Sequence, residues 1–209
     1  MLWRRIKLPL QYGNYAQLRQ YLMIGDMIAW TGGGVFGTAI KAFTGEPTHV
    51  GAVRRIEEAG RGRVMLVEAI EGKGVVQTYL SERIAEAKGT VDIYFRDRRI
   101  PFSESKAAEY LDGIVGMDYS MAGAVFQGGL GGAIPVIGRF FGKDVFRDAL
   151  FCSRVLDQMA RAAGVPEEYL FNDQTPAPNQ VARWKMWANR YRVWPEVAVP
   201  IEGANRVAV

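Results

Sequence analysis

Short apolar blocks, punctuated by glycine, proline and clusters of charge, run along most of this chain. Gly25-Asp26-Met27-Ile28-Ala29-Trp30 follows a turn and predicts a short strand. Thr48 to Arg54 predicts another, with His49, Gly51 and Val53 on one face and Val50 and Ala52 on the other. Glu57 to Arg63 is charged and broken by glycine, which predicts a hairpin loop. Val64 to Ile70 is the clearest strand; both its faces are apolar apart from Glu68, so it is expected to be covered on both sides. The hairpin makes it antiparallel to the strand carrying His49, so Glu68 and His49 can be cross-strand neighbours on one face. A carboxylate in mid-strand is costly unless paired. Two alternatives stand beside the His49 pairing: Glu68 is solvated at a strand end, or it pairs with an arginine. Gly74 to Leu80 and Val91 to Arg96 predict two more strands, and Ser81 is read as the N-cap of a helix over Glu82 to Ala87.

Helical spacing takes over elsewhere. Ala16 to Leu22 predicts a short helix, and Val35, Phe36, Ala39, Ile40 and Phe43 predict another. Ser103 caps a helix from Glu104 to about Val115. After Cys152 the apolar residues Val155, Leu156, Met159, Ala162 and Ala163 recur at helical spacing until Gly164 and Pro166. That places Cys152 in the first turn of a helix. Trp184, Trp187 and Tyr191 are spaced as one helical stripe, with Trp194 just beyond. Met121 to Gly138 carries no charge, but its glycines and Pro135 argue against a membrane span. It reads as a packed irregular loop, or as a loop that meets an acyl chain or a membrane surface.

Composition narrows the classes. At 209 residues, with 49% hydrophobic and 23% charged residues, one domain over 1–209 with a sizeable core is expected. The net charge of +4 is spread among acidic residues, not gathered in blocks, so no nucleic-acid partner is expected. Thr31-Gly32-Gly33-Gly34 lacks the Gly-Lys-Ser/Thr that a phosphate cradle needs. One cysteine excludes an internal disulfide and a zinc site of several thiolates, and one histidine leaves little for an imidazole centre. No metal and no cofactor are therefore expected. The first residues hold no apolar h-region, so a cytoplasmic location is the default, with release by lysis or injection left open.

Against that background the single Cys and single His carry the chemical interest. The N-terminus of a helix offers unpaired N–H groups and partial positive charge, both of which favour thiolate over thiol. The plainer alternative is a buried cysteine packing as a small hydrophobe.

Gly25-Asp26-Met27-Ile28, then Thr44-Gly45-Glu46-Pro47-Thr48-His49-Val50-Gly51, Val67-Glu68-Ala69 and Phe151-Cys152-Ser153-Arg154-Val155 together resemble the circularly permuted papain-like enzymes. These belong to the NlpC-type superfamily of bacterial cysteine peptidases and amidases, with lecithin:retinol acyltransferase-like proteins among the relatives. The resemblance covers about residues 22–181, and the order His49, Glu68, Cys152 is the permuted one. It implies an α+β fold in which an antiparallel sheet or half-barrel packs on helices, with the nucleophile at a helix N-terminus. It implies Cys152 as nucleophile, His49 as base and Glu68 as the group that orients the imidazole, with Asp26 and Asp92 as reserves for Glu68. Tyr119 is a candidate donor to the oxyanion. Arg154 stands where relatives often carry an acidic residue. The expected activity is hydrolysis of an amide in a small peptide, a peptidoglycan fragment or a lipid- or amino-acid-linked amide. Two other readings remain: a lipid thioesterase or acyltransferase on the same scaffold, with lipid contact through 121–138, and a non-catalytic virion-associated or binding module. The oligomeric state is left open.

Overall fold

Alternation in the middle of the chain builds a sheet, and the two faces of that sheet organise everything else. The computed structural model describes residues 9–32, 45–58, 60–70, 72–117, 143–170 and 176–193. Their strands are β1 (Leu10–Gly13), β2 (Met27–Thr31), β3 (His49–Glu58), β4 (Arg61–Ile70), β5 (Gly74–Tyr79), β6 (Thr90–Arg96) and β7 (Trp187–Val193). They form one seven-stranded sheet in the order β1-β7-β6-β2-β3-β4-β5. The helices are α1 (Tyr15–Leu18), α2 (Leu80–Ala85), α3 (Glu104–Ile114), α4 (Lys143–Ala162) and α5 (Pro178–Val181). The α+β class is as expected. The sheet, however, is mixed and not purely antiparallel, because β1 runs parallel to β7.

Side-chain parity divides the core in two. Met27, Ala29, Val50, Ala52, Val67 and Ala69 face α3 and α4, meeting Ala107, Leu111, Val155, Leu156 and Met159. Ile28, Trp30, Val53, Leu66, Val91 and Ile93 face the other way, toward Tyr15, Leu22, Leu80 and Ile84. Burying a side chain such as Leu66 or Leu156 stabilises the fold by roughly 1.5–3 kcal/mol each. Polar ends are tied down. Ser103 caps α3 by accepting from Lys106 N, and its own N–H donates to Ala163 O at 2.8 Å, joining the start of α3 to the end of α4. Gly164 sits at φ +80, in the left-handed region that ends a helix cheaply only for glycine.

Four expectations need correction, the first being the loop over Glu57 to Arg63: β3 runs to Glu58 and β4 starts at Arg61, so Glu57, Glu58 and Arg61 to Arg63 are paired strand, because a tight hairpin turn needs few residues. The helix carrying Cys152 begins at Lys143, so Cys152 lies in the middle of α4 and not in its first turn. Ser81 is inside α2, whose N-cap is Tyr79 with no side-chain hydrogen bond. Trp184 and Trp187 do stack, with ring centroids 6.4 Å apart, but Trp187 and Tyr191 belong to strand β7. There the backbone ladders to β6 and β1 hold the segment extended, and Arg190 and Arg192 turn to Asp92 on β6. Strand β1 is an addition, since nothing in Leu10–Gly13 points to a partner near Arg190. The expected helix over Val35 to Phe43, the run over 121–138, Tyr119 and Trp194 lie outside the described residues. Among the described residues no helix is long and apolar enough to cross a membrane.

Candidate active site

The site grows from the first residue of β3. Backbone pairing puts His49 beside Trp30, and Thr48 fixes the entry to the strand. Thr48 N donates to Trp30 O at 2.8 Å, and Gly32 N donates to the Thr48 hydroxyl at 3.0 Å. The Trp30 and His49 rings lie 5.6 Å apart, tilted by 48°. One strand over, β4 brings Glu68 onto the same face, and its Oε2 lies 2.6 Å from His49 Nε2. Gly51 keeps that approach open. A Cβ at Gly51 would sit 2.8 Å from Leu66 Cδ1 and 3.1 Å from Glu68 Cβ, closer than packed carbons allow.

Glu68 has a second partner. Arg83 on α2 donates from Nε to Oε1 at 2.5 Å and from Nη2 to Oε2 at 3.3 Å. The guanidinium also lies 5.4 Å from the centre of the Trp30 ring, within reach of a cation–π attraction. The two readings left open for Glu68, a histidine partner and an arginine partner, are therefore both realised. The third, a solvated strand end, is not, since the residue is fully buried.

Cys152 reaches the same imidazole from the helix layer. His49 and Glu68 project from the face of the sheet away from α4, yet Cys152 and His49 are hydrogen-bonded. His49 can meet both layers because it starts its strand, at the end of the sheet. The structure thus brings Cys152, His49 and Glu68 into one hydrogen-bonded series. The reserve carboxylates are committed elsewhere. Asp92 accepts from Arg190 and Arg192. Asp26 accepts from Met23 N, Arg96 N and Arg98.

Charge in this series follows from burial set against neighbours. Burial is the largest single influence on His49 and works against its charged form; Cys152 and Glu68 outweigh it and push the imidazole up to about 10. Burial likewise works against the Glu68 carboxylate, but His49 and Arg83 hold it below its ordinary range. The series therefore carries an imidazolium flanked by Glu68 on one side and the sulfur on the other at neutral pH. In mid-helix, backbone N–H groups are spent on carbonyls one turn back. A helix terminus therefore contributes nothing at Cys152.

Access differs sharply along the series. The His49 side chain is 24% exposed, whereas Cys152 has no exposed surface. Among the described residues no group of three or more His, Cys, Asp or Glu is placed to hold a metal ion. Sequence reasoning missed Arg83 and Trp30. The only hint of Arg83 was the option of an arginine partner for Glu68; the short helix after β5 gives no number to choose from. A scan against protein-family models and a search of curated proteins both find no match to the chain.

Proposed function

We propose that the chain is a cysteine hydrolase of the permuted papain-like type, cleaving an amide through Cys152, His49 and Glu68. The observation that carries this reading is the hydrogen-bonded series from sulfur to imidazole to buried carboxylate. It supplies a nucleophile, a proton carrier and a group that fixes the imidazole's tautomer. In the first half-reaction the Cys152 sulfur attacks the amide carbonyl carbon and a C–S bond forms. The imidazolium of His49 then gives its proton to the leaving nitrogen as the C–N bond breaks, leaving a thioester and a free amine. In the second, neutral His49 takes a proton from water as the water oxygen attacks the thioester. The C–S bond breaks, the carboxylic acid departs and the sulfur and imidazolium are restored. Glu68 stays ionised throughout and steadies the imidazolium. The substrate class this reading favours is a small peptide, a peptidoglycan stem peptide or an N-acyl amino acid. A thioesterase or acyltransferase would use the same acyl-enzyme with a different donor or acceptor.

A second reading has its own observation. The complete burial of Cys152 suits an inert thiol in a binding module, with the Glu68 network serving the fold alone. Alkylation separates the two. Iodoacetamide at pH 6 labels an ion-paired thiolate quickly and a buried neutral thiol slowly. The hydrolase reading expects rapid labelling that His49→Ala slows by at least ~10-fold. It also expects Cys152→Ala to abolish hydrolysis across a panel of stem peptides, N-acyl amino acids and acyl thioesters. Slow labelling of the native chain, or hydrolysis that survives Cys152→Ala, would overturn it.

A further inference from the structure

We propose that Arg83 is a positioning residue that sets the acid limit of this site by clamping Glu68 in the orientation that serves His49. The inference rests on the proposed roles of Cys152, His49 and Glu68, but its test does not require turnover. Geometry carries it. Glu68 is fully buried and has two oxygens to satisfy. His49 Nε2 takes one side of Oε2, while Arg83 takes Oε1 with Nε and also reaches Oε2 with Nη2. A forked guanidinium holding both oxygens fixes the carboxylate plane, which a single imidazole contact does not. With Arg83 removed, Oε1 would be a buried acceptor without its donor, and rotation away from His49 or uptake of a proton would relieve it.

Arg83 is itself held from two directions. Leu80 and Ile84 anchor α2 in the core beneath the sheet, and the guanidinium lies 5.4 Å from the centre of the Trp30 ring, whose other neighbour is the His49 imidazole. Among the described residues, the charged and titratable groups facing this point are Glu68 from β4, Arg83 from α2 and Cys152 from α4, around His49 at the head of β3. β2 contributes the uncharged Trp30. As Glu68 takes up a proton on acidification, the His49–Glu68 hydrogen bond loses its charged acceptor. Arg83 opposes that protonation and so extends the site's working range downward in pH.

The chain has one histidine, so the imidazole N–H resonances of the protein come from this site alone. The experiment follows the low-field proton of the His49–Glu68 hydrogen bond by NMR, with ¹⁵N-labelled histidine, on lowering the pH. In the native chain the signal persists to acid pH. In Arg83→Met the pH at which it disappears should rise by about one unit or more, the scale on which a neighbouring guanidinium shifts a carboxylate. Arg83→Gln keeps a hydrogen-bond donor but no charge. It should move the same way by a smaller amount, and it decides the matter if the Met variant does not fold. An acid edge unchanged from the native chain in the variant that folds would overturn the proposal. Alkylation of Cys152 in the native protein reports on the hydrolase reading separately: a shifted edge with an inert thiol would leave Arg83's role standing and remove the catalysis.

Discussion

Glu68 in β4 and Asp26 just before β2 are both fully buried carboxylates, and they end with opposite electrostatics. Burial is the largest influence on each and drives both toward the neutral form. Around Glu68, His49 and Arg83 each add a hydrogen bond and a charge, and the carboxyl falls below its ordinary range. Around Asp26 there are two backbone N–H groups and Arg98, whose side chain is 40% exposed, and burial prevails: the carboxyl rises to about 6. Arg96 adds its own charge there only from a greater remove, as its side chain bonds Glu104. Burial alone therefore does not mark a working carboxylate. What distinguishes Glu68 is two cations in direct contact, one of them linked onward to a sulfur.

The strongest way to break this comparison is to neutralise each carboxyl in turn. Glu68→Gln should cost about 10²-fold or more in kcat/KM, the range typical of a lost acid–base partner, and should lower the midpoint of the single histidine's NMR titration. Asp26→Asn should leave both readings close to native. Equal losses of activity would show that the two corners are not different in kind.

Stability against pH sharpens the contrast, because the two signs are opposite. Asp26 binds its proton more tightly in the folded chain, so its contribution is full below about pH 4 and is lost as pH rises through about 6. A rise of about two units corresponds to something on the order of 3 kcal/mol. The unfolding free energy of the native chain, relative to Asp26→Asn, should therefore fall by about that much between pH 4 and pH 7 in urea titrations. Glu68, whose folded value is depressed, contributes above its unfolded value and loses that contribution on acidification. Relative to Glu68→Gln, native stability should thus fall as the pH drops below about 4.5.

A smaller effect separates the glycines beside these groups. At Gly25, with φ +88, a Cβ would lie 2.3 Å from Phe102 Cζ, so Gly25→Ala strains backbone and ring together. It should cost about 2–3 kcal/mol and leave Cys152 alkylation unchanged. Gly51→Ala meets the movable end of Leu66 and the Cβ of Glu68. It should cost about 1–2 kcal/mol and slow alkylation by a few fold, because Glu68 is pushed off His49. Thermal melts and iodoacetamide rates read both.

Much of the central sheet was legible because its signals are local. The alternation around His49, the charged hairpin and the apolar strand through Glu68 fix pairing and face without any distant information. Ser103 announced α3 for the same reason. The start of α4 was misread because periodicity was followed only from Cys152 forward. Lys143 to Leu150 holds no proline or glycine, and the nearest breaker upstream is Gly142. Strand β7 was misread because three aromatics at intervals of three to four imitate a helix. That segment is extended because it pairs with β6 on one side and β1 on the other, both far away in sequence, and pairing of that kind leaves no local mark. Arg83 belongs to the same class, since its importance comes from where α2 folds back. Tyr119 and the run over 121–138 lie outside the described residues.

The parallel contact of β1 with β7 has a consequence for how the protein is made. Leu10 pairs with Arg190, so a strand has its sheet partner far downstream in the chain. During synthesis β6 also waits, with Asp92 lacking Arg190 and Arg192 until β7 arrives. The β3–β4–β5 hairpins, closed over short loops, can form long before that. The His49–Glu68–Arg83 corner is then assembled on a partial sheet whose β2 side is still an open edge, while Cys152 has yet to be translated. A nascent chain stalled ahead of α4 would present a built carboxylate–imidazole pair with no sulfur to act on. Chemistry at this site would switch on only once α4 has been made.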